Sequence, residues 1–313
     1  MNRRVQADLS LVVCSIMWGA TFIIVKNALA DSSVFVFMAV RFTLGALIMI
    51  PLFRRALAKT DRKELRDGAI IGLSLFSGYV FQTWGLVTTT PSKCAFITGS
   101  SVAMVPILLM IFWGRRTGAA VWCGVVAAFA GLYLLTVPGG ASQTLVRGDF
   151  LVLIGAVGFA MQIIFASLYG ARHEGGAIAC LQISTVAACS LVVLPMVSFS
   201  GLQPARLHWS PAFVWGVSIT AVFTTAIAFS VQVWAQQFTT ATHAALIFAL
   251  EPVVTAVTSR VFQHERLGGR AIAGAVLILI GILLAEIRAP GSRRDVGDKS
   301  AEGSPDPVGG PPA

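Results

Sequence analysis

Glu251 is a carboxylate set inside a long apolar run, with Pro252 directly after it. A charge at that depth in apolar surroundings is costly and normally faces protein or a wet cavity. Proline cannot donate a backbone N–H, so a carbonyl one turn back loses its partner and the helix is expected to kink. Two chemistries fit. The carboxylate holds a proton or a substrate amine, or it steadies the kink by bonding freed backbone or a neighbouring hydroxyl. The residue types alone leave both open.

Few other polar groups interrupt the apolar runs. Lys26 and Arg41 fall in the outer thirds of their spans, where long side chains can snorkel. They are read as an ion pair or interface anchors, or as the groups that hold a substrate carboxylate. Lys93 opens a span and reads as an interface lysine. Gln82 and Gln232 are expected one turn inside a membrane on opposite sides of its midplane, a placement that suits gates or interhelical hydrogen bonds. Gln162 and the cluster Gly99-Ser100-Ser101 are candidates for cavity lining. Trp18 sits mid-span beside Gly19, where it either packs or stacks on a cationic or aromatic solute. The other six tryptophans lie near span ends, as an aromatic belt requires. Ser92 and Thr242 are candidate helix N-caps.

Metal and disulfide chemistry find no support. His173, His208 and His264 fall in loops and His243 opens a span, none at a ligand spacing. The five cysteines have no CxxC spacing and read as small buried hydrophobes. No GxxxxGK[ST] motif occurs, so no nucleotide cofactor is implied.

The elements that carry these groups are helices in a bilayer. The chain has 313 residues, 56% hydrophobic and 12% charged, with a mean hydropathy of +0.80. Soluble domains run near a quarter charged. The net charge of +9 lies between apolar spans rather than on one face, which excludes nucleic acid as a partner and reads as a topology signal. Ten spans, each about the 20 residues a bilayer needs, fall at 9–29, 34–53, 67–87, 93–113, 119–137, 148–168, 177–199, 211–232, 243–262 and 268–287.

The second half rewrites the first. At an offset of 150, Gln82 and Trp84 meet Gln232 and Trp234, Thr89-Thr90 meets Thr239-Thr240, and Gly124 and Gly131 meet Gly274 and Gly281. At an offset of 141, Asp8 meets Asp149 and Arg41 meets Gln182. The difference places a loop insertion near residues 201–209. Pro106 and Pro252 miss alignment by about one turn, so the two copies are expected to break their helices a turn apart. Only the second copy carries the carboxylate. The paired glycines share one helix face and predict close helix packing.

Five spans per repeat is an odd number. The copies must then enter the membrane from opposite sides, as an all-α, 5+5 inverted-topology repeat with a site near the midplane. The first repeat covers residues 1–140 and the second 141–288. Residues 289–313 are rich in Gly, Pro, Ser and charge, and read as a disordered cytoplasmic tail. Arg3, Arg4, Arg54, Arg55, Lys59, Arg62, Lys63, Arg66, Arg115, Arg116 and Arg172 would face the cytoplasm, against Arg147, Arg206, Arg260, Arg266 and Arg270 outside. Both termini are therefore expected inside. The first span is not read as a signal peptide, because its removal would amputate a repeat unit.

Trp18-Gly19-Ala20-Thr21-Phe22 with Lys26, then Arg41-Phe42, resembles the opening of EamA-like permeases of the drug/metabolite transporter superfamily. Ala95-Phe96-Ile97-Thr98-Gly99 with Val105-Pro106 and Gly131-Leu132-Tyr133-Leu134-Leu135 is similar to their fourth and fifth helices. Ala244-Ala245-Leu246, Leu250-Glu251-Pro252 and His264-Glu265-Arg266-Leu267 resemble the ninth and its following turn. The resemblance implies ten helices around a central cavity and movement of small metabolites or amino acids. Gly114-Arg115-Arg116 departs from the Gly-Glu-Arg form usual there and leaves that turn more basic.

The expectation is a secondary transporter of the inner or plasma membrane, moving a small metabolite such as an amino acid or amine by alternating access, with protons as a candidate coupling ion. A passive facilitator or channel would need the same cavity. An enzyme would want clustered His, Asp or Cys at an interface, and the loops are short and plain. A receptor or scaffold leaves the buried carboxylate unexplained.

Overall fold

The structure is a computed structural model that describes residues 3–115, 117–136, 146–263 and 268–287. The expected join between the repeats, Arg116, the turn at 264–267 and the tail from 288 lie outside these residues. The described chain is helical: α1 Arg3–Ala28, α2 Val34–Leu52, α3 Arg62–Thr88, α4 Pro91–Trp113, α5 Ala119–Thr136, α6 Arg147–Tyr169, α7 Gly175–Phe199, α8 Pro211–Gln236, α9 from Ala241 to Gln263 and α10 Gly269–Ile287. Eight of these, all but α5 and α10, are long and apolar enough to cross a membrane. The apolar stretches of α5 and α10, Ala119–Leu134 and Gly269–Leu284, are shorter than the spans expected there.

Local chemistry sets the helix starts. Asp61 accepts the backbone N–H of Glu64 at 2.7 Å to cap α3. Thr90 accepts from Lys93 N, and Pro91 follows it at the first helical position, where a missing N–H costs nothing. Thr240 repeats the cap with His243 N at 3.2 Å. The caps thus fall two residues before Ser92 and Thr242, which lie inside their helices. A hydroxyl caps from the residue just outside the first turn, not from within it.

The outer surface suits lipid. Phe199, Phe262, Phe112 and Leu47 all point outward, as large apolar side chains can where the solvent is hydrocarbon. Cys14, Cys94 and Cys180 are buried as expected, whereas Cys123 on α5 is exposed. Inside, α5 and α10 meet through glycine. A β-carbon on Gly131 would lie 2.6 Å from Gly274 O, and one on Gly281 would lie 2.6 Å from Gly124 O. The repeated glycines therefore allow the backbone contact that their spacing suggested. The loop at 201–209 lies against the α1–α2 turn, with Ser33 N donating to Arg206 O and His208 N to Asp31 O.

Two helices are broken. α4 divides into α4a, Pro91–Gly99, and α4b, Ser101–Trp113; α9 divides into α9a, Ala241–Phe248, and α9b, Glu251–Gln263. The breaks fall at aligned places, 150 residues apart, not a turn apart. Pro106 lies within α4b, which runs on through it. At Ser100 the backbone N–H and the hydroxyl both donate to Ile97 O, at 3.1 and 2.6 Å, and tighten the end of α4a. Ala249 and Leu250 make the same short-range bonds to Leu246 O and Ile247 O. Proline supplies the break only in α9, because Pro252 has no N–H to offer Phe248 O.

Candidate functional site: a polar cavity between the repeats

Both breaks border one cavity. Its wall includes Trp18 and Thr21 of α1, Arg41 of α2, Tyr79 and Gln82 of α3, Ser101 of α4b, Phe159 and Gln162 of α6, Phe229 and Gln232 of α8, and Glu251 of α9b. The wall is drawn twice. Tyr79 and Phe229, Gln82 and Gln232, and Ser101 and Glu251 are each 150 apart, while Trp18 and Phe159, and Thr21 and Gln162, are each 141 apart. Residues matched along the sequence thus meet across one space.

Glu251 lies at the start of α9b, where a carboxylate favours the unpaired N–H groups of a helix N-terminus. Gly19 admits this turn: a β-carbon there would lie 2.5 Å from Glu251 O. The hydroxyl of Thr255 reaches both Glu251 O, at 2.9 Å, and Gly19 O, at 3.0 Å. Thr255 therefore ties the break to α1. Among the described residues, no side chain hydrogen-bonds the Glu251 carboxylate, which faces the cavity.

Arg41 is 4% exposed and held from three directions. Its Nε donates to Thr225 Oγ1 and its Nη2 to Thr224 Oγ1, both at 3.0 Å, and Nη2 also donates to Tyr79 Oη at 3.3 Å. The guanidinium lies over the rings of Phe42 and Tyr79, 5.0 and 4.8 Å from their centroids. The two threonines belong to a π-helical segment of α8, Thr220–Ile227, whose wider turn brings consecutive hydroxyls to one group. The expected ion pair or interface anchor is not what Arg41 makes. Its hydrogen-bond partners are neutral hydroxyls, and among the described residues it makes no ion pair.

Lys26 is set apart from the cavity. Its Nζ donates to Leu86 O, Val87 O and Thr89 O, at 2.5, 2.8 and 3.0 Å. It caps the end of α3, where unpaired carbonyls draw a cation. Ser100 also leaves the wall, since its hydroxyl turns into the helix break and Ser101 lines the cavity instead.

The glutamines divide. Gln162 and Gln232 bond to each other through both amides, at 3.4 and 3.2 Å, and Gln162 also donates to Gln182 at 3.1 Å. Gln82 donates to Thr98 at 2.8 Å. Trp18 donates to Thr224 O at 3.0 Å and packs against Phe229 and Phe248. Packing and cavity lining, posed as alternatives for Trp18, are both present. Tyr79, Thr224 and Thr225 escaped the sequence reading. The alignment of Tyr79 with Phe229 signals the first; the threonines carry no signal without the π-helical turn.

A bundle of apolar helices around a cavity lined by both apolar and polar side chains suits a membrane protein that accommodates a small solute. The chain belongs to the EamA-like transporter family, whose pattern matches residues 5–137 and 146–286. It is 30% identical to an uncharacterized transporter of Archaeoglobus fulgidus over 91% of this chain and 87% of that one. It is 26% identical to the uncharacterized transporter YvbV of Bacillus subtilis, over 91% and 93% of the two chains. The threonine/homoserine exporter RhtA of Salmonella typhimurium is 30% identical over 77% of this chain and 78% of its own. One solved crystal structure shares the fold with a TM-score of 0.71 at 17% identity, over 90% of this chain and 97% of that one.

Proposed function

We propose that this protein is a secondary transporter that moves a small amine-bearing metabolite, an amino acid first among the candidates, across the cytoplasmic membrane by alternating access. The observation that carries this reading is the shared cavity, whose walls come from matched positions of two sequence repeats. An inverted pair of five-helix repeats exchanges its two faces when the copies exchange conformations. That requires α5 and α10 to complete ten transmembrane helices, with both termini on the cytoplasmic side.

The charges suit a zwitterion. Glu251 has no hydrogen-bond partner for its carboxylate among the described residues and takes the substrate ammonium or, between substrates, a proton. Arg41 presents a fixed positive charge that makes no ion pair among the described residues, toward which a substrate carboxylate is drawn. Trp18, Phe159 and Phe229 supply the apolar surface. The likeness to a threonine/homoserine exporter favours the same class of solute.

A stabilisation screen tests the substrate class. A ligand that binds the native state raises apparent stability. Purified protein should gain thermal stability from L-threonine, L-homoserine or another amino acid, and lose that gain in Glu251→Gln. A gain that survives Glu251→Gln removes the carboxylate from the site. A gain from anionic or neutral solutes alone overturns the substrate class.

A further inference from the structure

The repeat also copies an acid, a base and a hydroxyl. Asp8 lies near the start of α1 and Asp149 in the first turn of α6, 141 apart; Lys93 and His243 open α4 and α9, and Thr89 and Thr239 precede them, each pair 150 apart. In both places the acid of one repeat meets the base of the other. These two contacts therefore join the repeats, one at each face of the bundle.

The copies are not in the same state. Around Asp149, Lys93 Nζ lies 2.5 Å from Oδ2, Thr89 Oγ1 donates to Oδ1 at 2.7 Å, and Val146 N donates to Oδ2 at 2.9 Å. Around Asp8, His243 Nε2 lies 3.4 Å from Oδ1 and Arg4 Nε lies 3.9 Å from Oδ2. Here Asp8 Oδ1 and Thr239 Oγ1 are both buried with no hydrogen-bond partner among the described residues. The bond that Thr89 makes to Asp149 is thus the bond its counterpart Thr239 does not make to Asp8.

The two bases differ in kind, one an imidazole and one an ammonium. Asp8 faces the imidazole from α1, with Arg4 beside Asp8. α5 and α4b carry no charged residue; α6 carries Arg147 and Asp149 in its first turn, and α10 carries Arg270 at its start and Glu286 in its last turn. The other imidazole at the N-terminal face, His173, is 3.0 Å from Asp67 on α3. Histidine changes charge near neutral pH, and lysine does not.

We propose that Asp8–His243 is a proton-binding latch: protonation of His243 draws Asp8 and Thr239 into the closed arrangement already seen at Thr89–Asp149–Lys93 and shuts the cavity toward the N-terminal face. The inference rests on the alternating-access reading. The latches are chemically unequal copies, so only one face responds to protons.

The test uses the full chain in proteoliposomes, with the five native cysteines replaced by alanine. A reporter cysteine at Thr21→Cys, inside the cavity, is labelled by a membrane-impermeant maleimide from either face. Rates are divided by those of an exposed cysteine on the same face, Lys63→Cys or Ala205→Cys, to remove the thiol's own pH dependence. Labelling from the N-terminal face should slow at least about threefold as that face goes from about pH 8 to about pH 6. His243→Lys should be slow at both pH values and His243→Gln fast at both, while His173→Gln keeps the response. Lys93→His should create a response to pH at the opposite face. A pH response that survives in His243→Lys and His243→Gln overturns the latch, as does labelling from both faces that ignores pH. Labelling from one face alone in every variant overturns alternating access itself, and the latch with it.

Discussion

Gly99 rests against Pro252. A β-carbon on Gly99 would lie 3.1 Å from Pro252 Cγ, with Leu132 Cδ2 at 3.2 Å behind it. The break in α4 and the break in α9 are therefore in contact, and the contact is closed on the first copy's side by the absence of a side chain. Overfilling such a place costs about 1–3 kcal/mol. Gly99→Val should lower the melting temperature and impair transport. Gly118→Val, where a β-carbon would meet nothing within 4 Å, should change neither. Thermal unfolding of the two purified variants checks the pair.

Glu251→Gln should cut transport by at least about tenfold while leaving stability unchanged or slightly raised. The carboxylate has no hydrogen-bond partner among the described residues to orphan, and an amide is cheaper to bury than a charge. Transport and melting temperature measured on one preparation separate this from a structural role. A carboxylate that steadied the kink would lower stability when replaced.

Arg41→Lys should behave in the opposite way. An ammonium cannot hold Thr224, Thr225 and Tyr79 in the geometry of a planar fork; Thr224 keeps its bond to Thr220 O, and leaving the Thr225 or Tyr79 hydroxyl unpaired costs about 1–3 kcal/mol each. The expected outcome is a lowered melting temperature together with lost transport, read by thermal unfolding and uptake.

Lys26→Met should fray the end of α3 and leave substrate affinity unchanged. A cation at a helix C-terminus contributes about 0.3–1 kcal/mol. Hydrogen exchange should quicken in the last turn of α3, near Leu86, while the ligand-induced gain in stability persists. A loss of that gain would return Lys26 to the substrate site.

Trp18→Phe should keep ligand binding better than Trp18→Ala, since the ring lines the cavity between Phe229 and Phe248. Both lose the hydrogen bond to Thr224 O, so the difference between them isolates the aromatic surface. Equal ligand affinities in the two variants would assign Trp18 to packing alone.

The family, the helical class and the polar residues of the wall were legible because depth leaves a trace in sequence. A lone Glu251, Gln82, Gln162 or Gln232 inside an apolar run has few places to go, and the structure lines one cavity with all four. Partners were less legible. Lys26 and Arg41 look alike as cations near span ends, yet one caps carbonyls and the other is clasped by hydroxyls, a difference made by the end of α3 and the π-helical turn of α8. Pro106 looked like the break in α4 because proline is visible; the break lies at Ser100, where a hydroxyl and a glycine leave little trace. Asp8 with Asp149, and Lys93 with His243, were visible as aligned pairs. That each acid meets the base of the other half is set by tertiary packing, which aligned positions alone do not show.

Counterflow through proteoliposomes tests alternating access most directly. Vesicles holding the purified chain are loaded with a high concentration of unlabelled L-threonine or another amino acid that stabilises the protein, then diluted into the same solute in labelled form. A carrier whose single site faces one side at a time should draw label inward above its outside concentration before it decays, and Glu251→Gln should abolish the overshoot. A solute that equilibrates through the wild-type chain without any overshoot would contradict the account and make the cavity a passive pore.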